Sequence, residues 1–256
     1  MPKLSSENVF IDLSDYGRPM ALRAAKILNP TWVSPVQVTL LFGLCGLAGI
    51  FALLHGFSFF PGLLLILKSI IDAVDGELAR IRVRPSYTGR YLDSIFDNIL
   101  NLLLMLAVGL VTHTPMYLSL MAYASMQLQG TLYNYYYVIL RRKSVGGDTT
   151  SQVFETSIPR AFPYESQRIV SALFVVFVAL YGIYDRLIYT VDRAASKSKS
   201  FPTWFMTLVS MYGLGFQLLI IAVMLACGLI AWVIPFFIGF NLGLVVLILI
   251  RKTLLE

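Results

Sequence analysis
The feature that most constrains this chain is a series of apolar tracts, each about the length of a bilayer crossing and each closed by a polar, Gly or Pro turn. About 20 apolar residues in a row reach across the hydrocarbon core as a helix. Lipid offers no partner to a backbone N–H or C=O, so such tracts must be helical. Of the 256 residues, 57% are hydrophobic and 13% charged, whereas a soluble domain has about a quarter charged. The expected fold is an all-α integral membrane protein. It is a polytopic helix bundle of six to seven transmembrane helices with an N-terminal amphipathic surface helix.

Residues 1–31 mix Asp12, Asp15, Arg18, Arg23 and Lys26 with Leu13, Met20, Leu22, Ile27 and Leu28. That pattern suits a juxtamembrane helix lying on the membrane surface. No apolar signal-peptide core opens the chain, and residues 32–256 read as a single transmembrane domain. Ser34-Pro35 opens the first span, with Ser34 as N-cap and Pro35 at the first helical position. The following spans run from about Gly62 into an aspartate cluster, from Gly89 to Val111, from Met116 to Leu140 and from Ile169 to Ile188. A polar stretch from Ser144 to Ser166, with Gly146-Gly147, separates the last two. The tract from Trp204 to Ile250 is too long for one crossing and is split near Gly228 and Trp232.

Positive charge sets the orientation. Arg80, Arg82, Arg84 and Arg90 join spans two and three, and Arg141, Arg142, Lys143, Arg160 and Arg168 join spans four and five. The connections at 55–61 and 112–115 carry no Lys or Arg. The basic loops therefore face the cytoplasm, as expected in a bacterial or archaeal inner membrane. Seven crossings would strand Lys197, Lys199, Arg251 and Lys252 on the far side; an even number would not. The net charge of +6 flanks apolar tracts, which suits anionic head groups and membrane lipids, not nucleic acid.

Charged residues inside spans default to function. Asp72 and Asp75 are three apart and share one helix face; Asp93 and Asp97 are four apart and share a face of the next helix. The basic loop makes these helices an antiparallel hairpin, so the pairs can meet. Four facing carboxylates cannot all stay ionised without positive charge among them. Arg80 and Lys68 supply part of it. Hard oxygen donors suit Mg²⁺, Mn²⁺ or Ca²⁺, and two ions about 4 Å apart clamp an in-line displacement at phosphorus. Gly76, Ala79 and Gly89 leave room for a base or ribose, and Arg80 can grip a phosphate with two hydrogen bonds.

The string Asp72-x2-Asp75-Gly76-x2-Ala79-Arg80-x8-Gly89-x3-Asp93-x3-Asp97 resembles the signature of the CDP-alcohol phosphotransferases, membrane enzymes of phospholipid synthesis. The resemblance implies metal ligation by Asp72, Asp75 and Asp93, with Asp97 close to two Mg²⁺ or Mn²⁺ ions and acting as the base for the acceptor hydroxyl. It also implies a CDP pocket of Asp72, Asp75, Gly76, Ala79, Arg80 and Gly89. The acceptor oxygen would attack the β-phosphorus of a CDP-alcohol donor and release CMP. A homodimer is implied as well, through apolar surface of the third and fourth spans. The first span begins Ser34-Pro35-Val36 where the family commonly has Asn after the Pro, so a polar contact near the nucleotide is either absent or supplied by Gln37 or Thr39. Tyr91-Leu92-Asp93-Ser94 looks more like the bacterial and archaeal branch, including inositol-phosphate-type transferases, than like the choline and ethanolamine enzymes.

Lys68, Gln129, Tyr133 and Arg141 are candidate contacts for the acceptor alcohol or a phosphate. The acceptor itself stays open between inositol phosphate, glycerol phosphate, serine and diacylglycerol. Asn98, Asn101, Gln217 and Asn241 read as interhelical hydrogen-bonders. His55 and His113 lie in the outer turns, and Cys45 and Cys227 read as small apolar residues. A cation transporter using the aspartates as its path is the reading from another class. It leaves the fixed offsets of Gly76, Ala79, Arg80 and Gly89 unexplained.

Overall fold
In the computed structural model, residues 4, 8–144, 152, 155–198 and 200–255 are described, and they contain helices and no strand. Gly146-Gly147, Lys199 and the side chain of Lys143 lie outside the described residues. The helices are α1 (Arg18–Leu28), α2 (Pro35–Leu54), α3 (Phe59–Ile81), α4 (Tyr87–Val111), α5 (Met116–Ser144), α6 (Gln167–Val191), α7 (Thr203–Val209), α8 (Leu214–Ala226), α9 (Val233–Gly239) and α10 (Asn241–Leu254).

The start of α2 follows the sequence closely. Ser34 accepts from the Gln37 N–H while the Gln37 side chain accepts from the Ser34 N–H, a reciprocal cap ahead of Pro35. Gln37 is thereby committed to the helix end. Ser86 caps α4 by accepting from Gly89 N–H at 2.8 Å. Gly228, at φ +72°, turns the chain between α8 and the final helices, a conformation that glycine adopts without steric cost.

The helices α2, α4 and α6 and the stretch Ile230–Leu254 are long and apolar enough to cross a membrane. The pair Thr203–Tyr212 and Leu214–Ala226 qualifies together, bent by 55°. Short turns return α3 against α2 and α5 against α4. Small residues allow the close approaches: a Cβ on Gly62 would meet the backbone of Ala222 at 2.9 Å, locking α3 against α8. In the core, Gln217 donates to Met126 O and to Gln129 Oε1, and Asn241 donates to Ser125 Oγ. Asn98 accepts from Tyr123. The amides expected between helices at 98, 217 and 241 are there.

Two arrangements go beyond the sequence pattern. The apolar side chains Met20 and Ile27 of α1 are exposed, and α1 packs on α3 through Ala21 and Ala25 against Val74 and Leu78. Arg82 fastens its C-terminal end by donating to the carbonyls of Leu28, Asn29, Thr31 and Val33.

The second concerns α6, expected as a fifth span and long and apolar enough to be one. Glu165, just before α6, binds the first turn of α4. Asp192, just after α6, accepts from Tyr135 and Tyr136 near the end of α5. The beginning of α4 and the end of α5 are the same end of that hairpin. A 25-residue helix is roughly 37 Å long, and one running along α4 would finish beside Val111. Its end contacts carry α6 across the α4–α5 hairpin rather than along α4.

Candidate active site
The aspartates gather where α3 and α4 face one another. Asp72 and Asp75 lie one turn apart on α3, and Asp93 and Asp97 one turn apart on α4. One carboxylate oxygen from each of Asp72, Asp75 and Asp93 lies within 4.8 Å of the others. Thr39 on α2 donates its hydroxyl to Asp75 Oδ2 at 2.6 Å, which fixes that carboxylate from behind. So of the two polar residues considered at the start of α2, Gln37 caps the helix and Thr39 serves the carboxylates.

Asp97 lies outside this set of three but within electrostatic reach of Asp72 and Asp93. Its Oδ1 accepts from Lys68 Nζ in an ion pair. The Lys68 side chain is almost wholly buried, and its ammonium also sits 4.8 Å from the centre of the Phe42 ring. One buried ammonium thus faces Asp97, Asp72 and Asp93 within a cluster of four carboxylates. Paired charges tolerate burial, but the surplus anions need further positive charge. Asp93 Oδ1 is buried and has no hydrogen-bond partner among the described residues. Converging hard oxygens, an unpartnered carboxylate oxygen and excess negative charge together fit a divalent cation of the Mg²⁺ or Mn²⁺ kind.

The glycine and arginine positions have local structural reasons as well. A Cβ on Gly76 would lie 3.4 Å from Arg80 Nη2, so Gly76 gives Arg80 room to fold back along α3. Arg80 there pairs with Glu77, Nη2 to Oε1 at 2.8 Å. Glu77, almost wholly buried, also receives Arg18 Nε at 3.0 Å. Glu77 and Arg18 were not singled out in the sequence. A buried acid three residues before a site arginine is the signal that points to the first; nothing local points to the second. Ala79 is half-buried on the same helix.

Gly89 sits in the capped first turn of α4. Glu165 accepts from the Ser86 hydroxyl at 2.8 Å, from Thr88 N–H at 2.7 Å and from Tyr87 N–H at 3.2 Å. Burial pushes this carboxyl's pKa up, but these hydrogen bonds outweigh it and hold it below the usual glutamate value. Arg90 pairs with Glu155, so two acids of the segment before α6 are fixed to the start of α4.

The acceptor candidates separate. Gln129 is fully buried and engaged with Phe237 O, Asn241 and Gln217. These hydrogen bonds occupy the side chain expected in an acceptor pocket and hold α5 to α8, α9 and α10. Tyr133, one turn along, donates to Asp12 Oδ2 at 2.6 Å and tethers the N-terminal segment. Arg141 is half-buried, within electrostatic reach of Arg80, Arg90, Glu77 and Tyr137, and its Nε has no partner among the described residues. It remains at the aspartate end of the bundle.

A model of the CDP-alcohol phosphatidyltransferase family matches residues 32–237. This chain belongs to the CDP-alcohol phosphatidyltransferase family. The match covers α2 to α8 and most of α9, and so includes all four aspartates. The chain is similar to the "Bifunctional IPC transferase and DIPP synthase" of Archaeoglobus fulgidus, 38% identical over 90 residues, which are 34% of this chain and 17% of that protein. The protein of the same name from Thermococcus kodakarensis is 38% identical over 80 residues, 31% of this chain and 18% of its own. The matched stretch is therefore less than a fifth of each relative's length. Family membership and the apolar helices together make this an integral membrane protein, and they replace the cation-path reading of the aspartates.

Proposed function
We propose that the chain transfers a substituted phosphate from a CDP-alcohol to an acceptor hydroxyl and releases CMP. The observation that carries this is the aspartate cluster itself: Asp72, Asp75 and Asp93 converge, and Asp97 is ion-paired with Lys68 beside them. Asp72, Asp75 and Asp93 would hold divalent ions, Mg²⁺ or Mn²⁺. When bound, such ions supply positive charge that balances the diphosphate and the charge developing on it. Asp97, oriented by Lys68, takes the proton from the acceptor hydroxyl. The acceptor oxygen forms a bond to the β-phosphorus, the bond from that phosphorus to the CMP oxygen breaks, and CMP leaves with the electron pair. Gly76, Ala79, Arg80 and Gly89, with Asp72 and Asp75, form the cytidine and diphosphate site.

The half-buried Arg141, near Arg80, favours a phosphorylated polar alcohol as acceptor, because guanidinium groups suit phosphate. The Asp93-Ser94 pattern points to the inositol-phosphate-type branch of the family. The CDP-choline or CDP-ethanolamine reaction with diacylglycerol is the alternative. Purified protein given Mg²⁺ or Mn²⁺ and labelled CDP-diacylglycerol, CDP-choline or CDP-ethanolamine, with a panel of acceptors, should release CMP. No release from any pair would sink the proposal. Asp93→Ala should weaken metal-dependent CDP binding in calorimetry; an unchanged metal dependence would remove Asp93 from the ligand set.

The path of α6 supports six crossings: α2, α3, α4, α5, the bent pair 203–226 and the final stretch 230–254. Lys197, Arg251 and Lys252 then lie on the same side as the aspartates, in accord with the positive-inside rule. That side is the cytoplasm. Single cysteines placed at 193 and 57 should label from opposite sides of sealed vesicles; labelling from one side would refute this topology. Family resemblance also supports a homodimer through the apolar surface of α4 and α5, where Leu110 and Tyr117 are exposed. Cross-linking a cysteine at 117 in the same vesicles should trap a dimer, and monomer alone would count against it.

A further inference from the structure
Arg80 is the cation of the nucleotide site proposed above, and two residues outside that site fix how it points. Arg80 Nη2 meets Glu77 Oε1 at 2.8 Å, and Arg80 Nε donates to Glu77 Oε2 at 3.2 Å. A two-point pair of this kind brings guanidinium and carboxylate into one plane. Glu77 occupies the Nε edge. The outer edge, Nη1 with the second hydrogen of Nη2, is left to grip two phosphate oxygens.

Arg18 alters the charge balance of that pair. Glu77 is 3% exposed, and a carboxylate so deeply buried must be paired. With Arg80 alone it would form a one-to-one pair that neutralises the guanidinium. Arg18 Nε also donates to Glu77 Oε1, at 3.0 Å, so two guanidiniums share one carboxylate. Asp15 lies 3.9 Å from the same Nε, too far for a hydrogen bond. The approach of Arg18 is built into the packing. A Cβ on Gly17 would meet Ile70 Cγ1 at 2.9 Å, so Gly17 lets the chain come against α3 where Arg18 reaches Glu77. From α5, Arg141 and Tyr137 stand within electrostatic reach of Arg80. Arg141 repels Arg80, and Glu77 is the anchor that holds it.

We propose that Glu77 and Arg18 are positioning residues for Arg80. Glu77 sets the plane of its guanidinium, and Arg18 shares the carboxylate so that Arg80 keeps positive charge for a diphosphate. The N-terminal helix, which lies before the stretch 32–237 matched by the family model, thereby completes the nucleotide site. The inference rests on the reading of Arg80 as a diphosphate ligand and adds two residues to it.

The test measures CDP binding by calorimetry with Mg²⁺. It adds KM and kcat for whichever of CDP-diacylglycerol, CDP-choline and CDP-ethanolamine wild type turns over. Arg18→Ala and Glu77→Gln should each weaken CDP binding and raise that KM roughly tenfold, the scale of a lost charged contact. The kcat should stay within about twofold, because the contact serves ground and transition states alike. Arg18→Lys should recover most of the loss, since Arg18 reaches Glu77 through one nitrogen. In the Arg80→Ala background, itself weakened for CDP, Arg18→Ala should cost nothing further, which isolates action through Arg80. Unchanged CDP affinity in Arg18→Ala would overturn the proposal, and so would a loss that adds to that of Arg80→Ala. Fewer binding sites at unchanged affinity would also overturn it, since Arg18 would then only hold the fold. Arg18 is partly exposed, so its variants keep the test valid if Glu77→Gln misfolds. Wild-type affinity in Arg80→Ala, or no CDP binding by wild type, would sink the nucleotide reading and this inference together. A wild type that binds CDP and releases no CMP would sink the phosphotransfer reading alone, and the CDP affinities would still decide the roles of Glu77 and Arg18.

Discussion
Replacing Asp97 by asparagine is expected to lower CMP release at least about a hundredfold while leaving metal-dependent CDP binding nearly intact. A positioned general base contributes on the order of 10²–10⁴ in rate, and an amide cannot take the acceptor proton. The fold should survive, because the asparagine oxygen can still accept from Lys68 Nζ. CDP binding should survive because Asp97 stands outside the set formed by Asp72, Asp75 and Asp93. Initial rates of CMP release, set beside calorimetric CDP affinity, separate the two effects. An Asp97→Asn protein with near wild-type rate would refute the base assignment. One that loses CDP affinity would move Asp97 into the metal-holding set.

Asp192→Ala is expected to be the most destabilising single change away from the site. Asp192 is fully buried and pairs with Arg251, itself 1% exposed. It also accepts from Tyr136 Oη at 2.6 Å, while its backbone carbonyl accepts from Tyr135 Oη at 2.8 Å. This clasp joins the end of α6 to α5 and α10. Removing one partner of a buried pair leaves an uncompensated charge and costs about 3–5 kcal/mol. Replacing both partners, as Asp192→Leu with Arg251→Met, should recover most of that loss, since an apolar pair of similar volume is often neutral. Thermal unfolding of the single and double variants in detergent measures the difference. A melting temperature unchanged by Asp192→Ala would show that Arg251 finds another counter-charge.

The sequence alone determined the class of fold and the candidate reacting groups. Apolar tracts of bilayer length permit only helices, because the alternative leaves backbone groups unpaired in lipid. Ser34-Pro35 marked a helix start by local chemistry alone. The offsets of Asp72, Asp75, Asp93 and Asp97 placed four carboxylates on facing surfaces of two helices, since helical periodicity is a property of neighbours in sequence.

What joins residues far apart was decided only by tertiary structure. Lys68 was a visible intramembrane cation, but its choice of Asp97 over Asp72 depends on how α3 meets α4. Gln129 and Tyr133 share a helix face by spacing, yet one turns to Gln217 and Asn241 and the other to Asp12, because different elements pack at each turn of α5. The apolar tract of α6 reads the same whether it crosses the membrane or lies across two helices. Its direction follows from Glu165 and Asp192, whose partners are 79 and 56 residues away along the chain. Periodicity records which side of a helix is apolar, not which partner covers it, so only the packed structure brings Arg18 to Glu77.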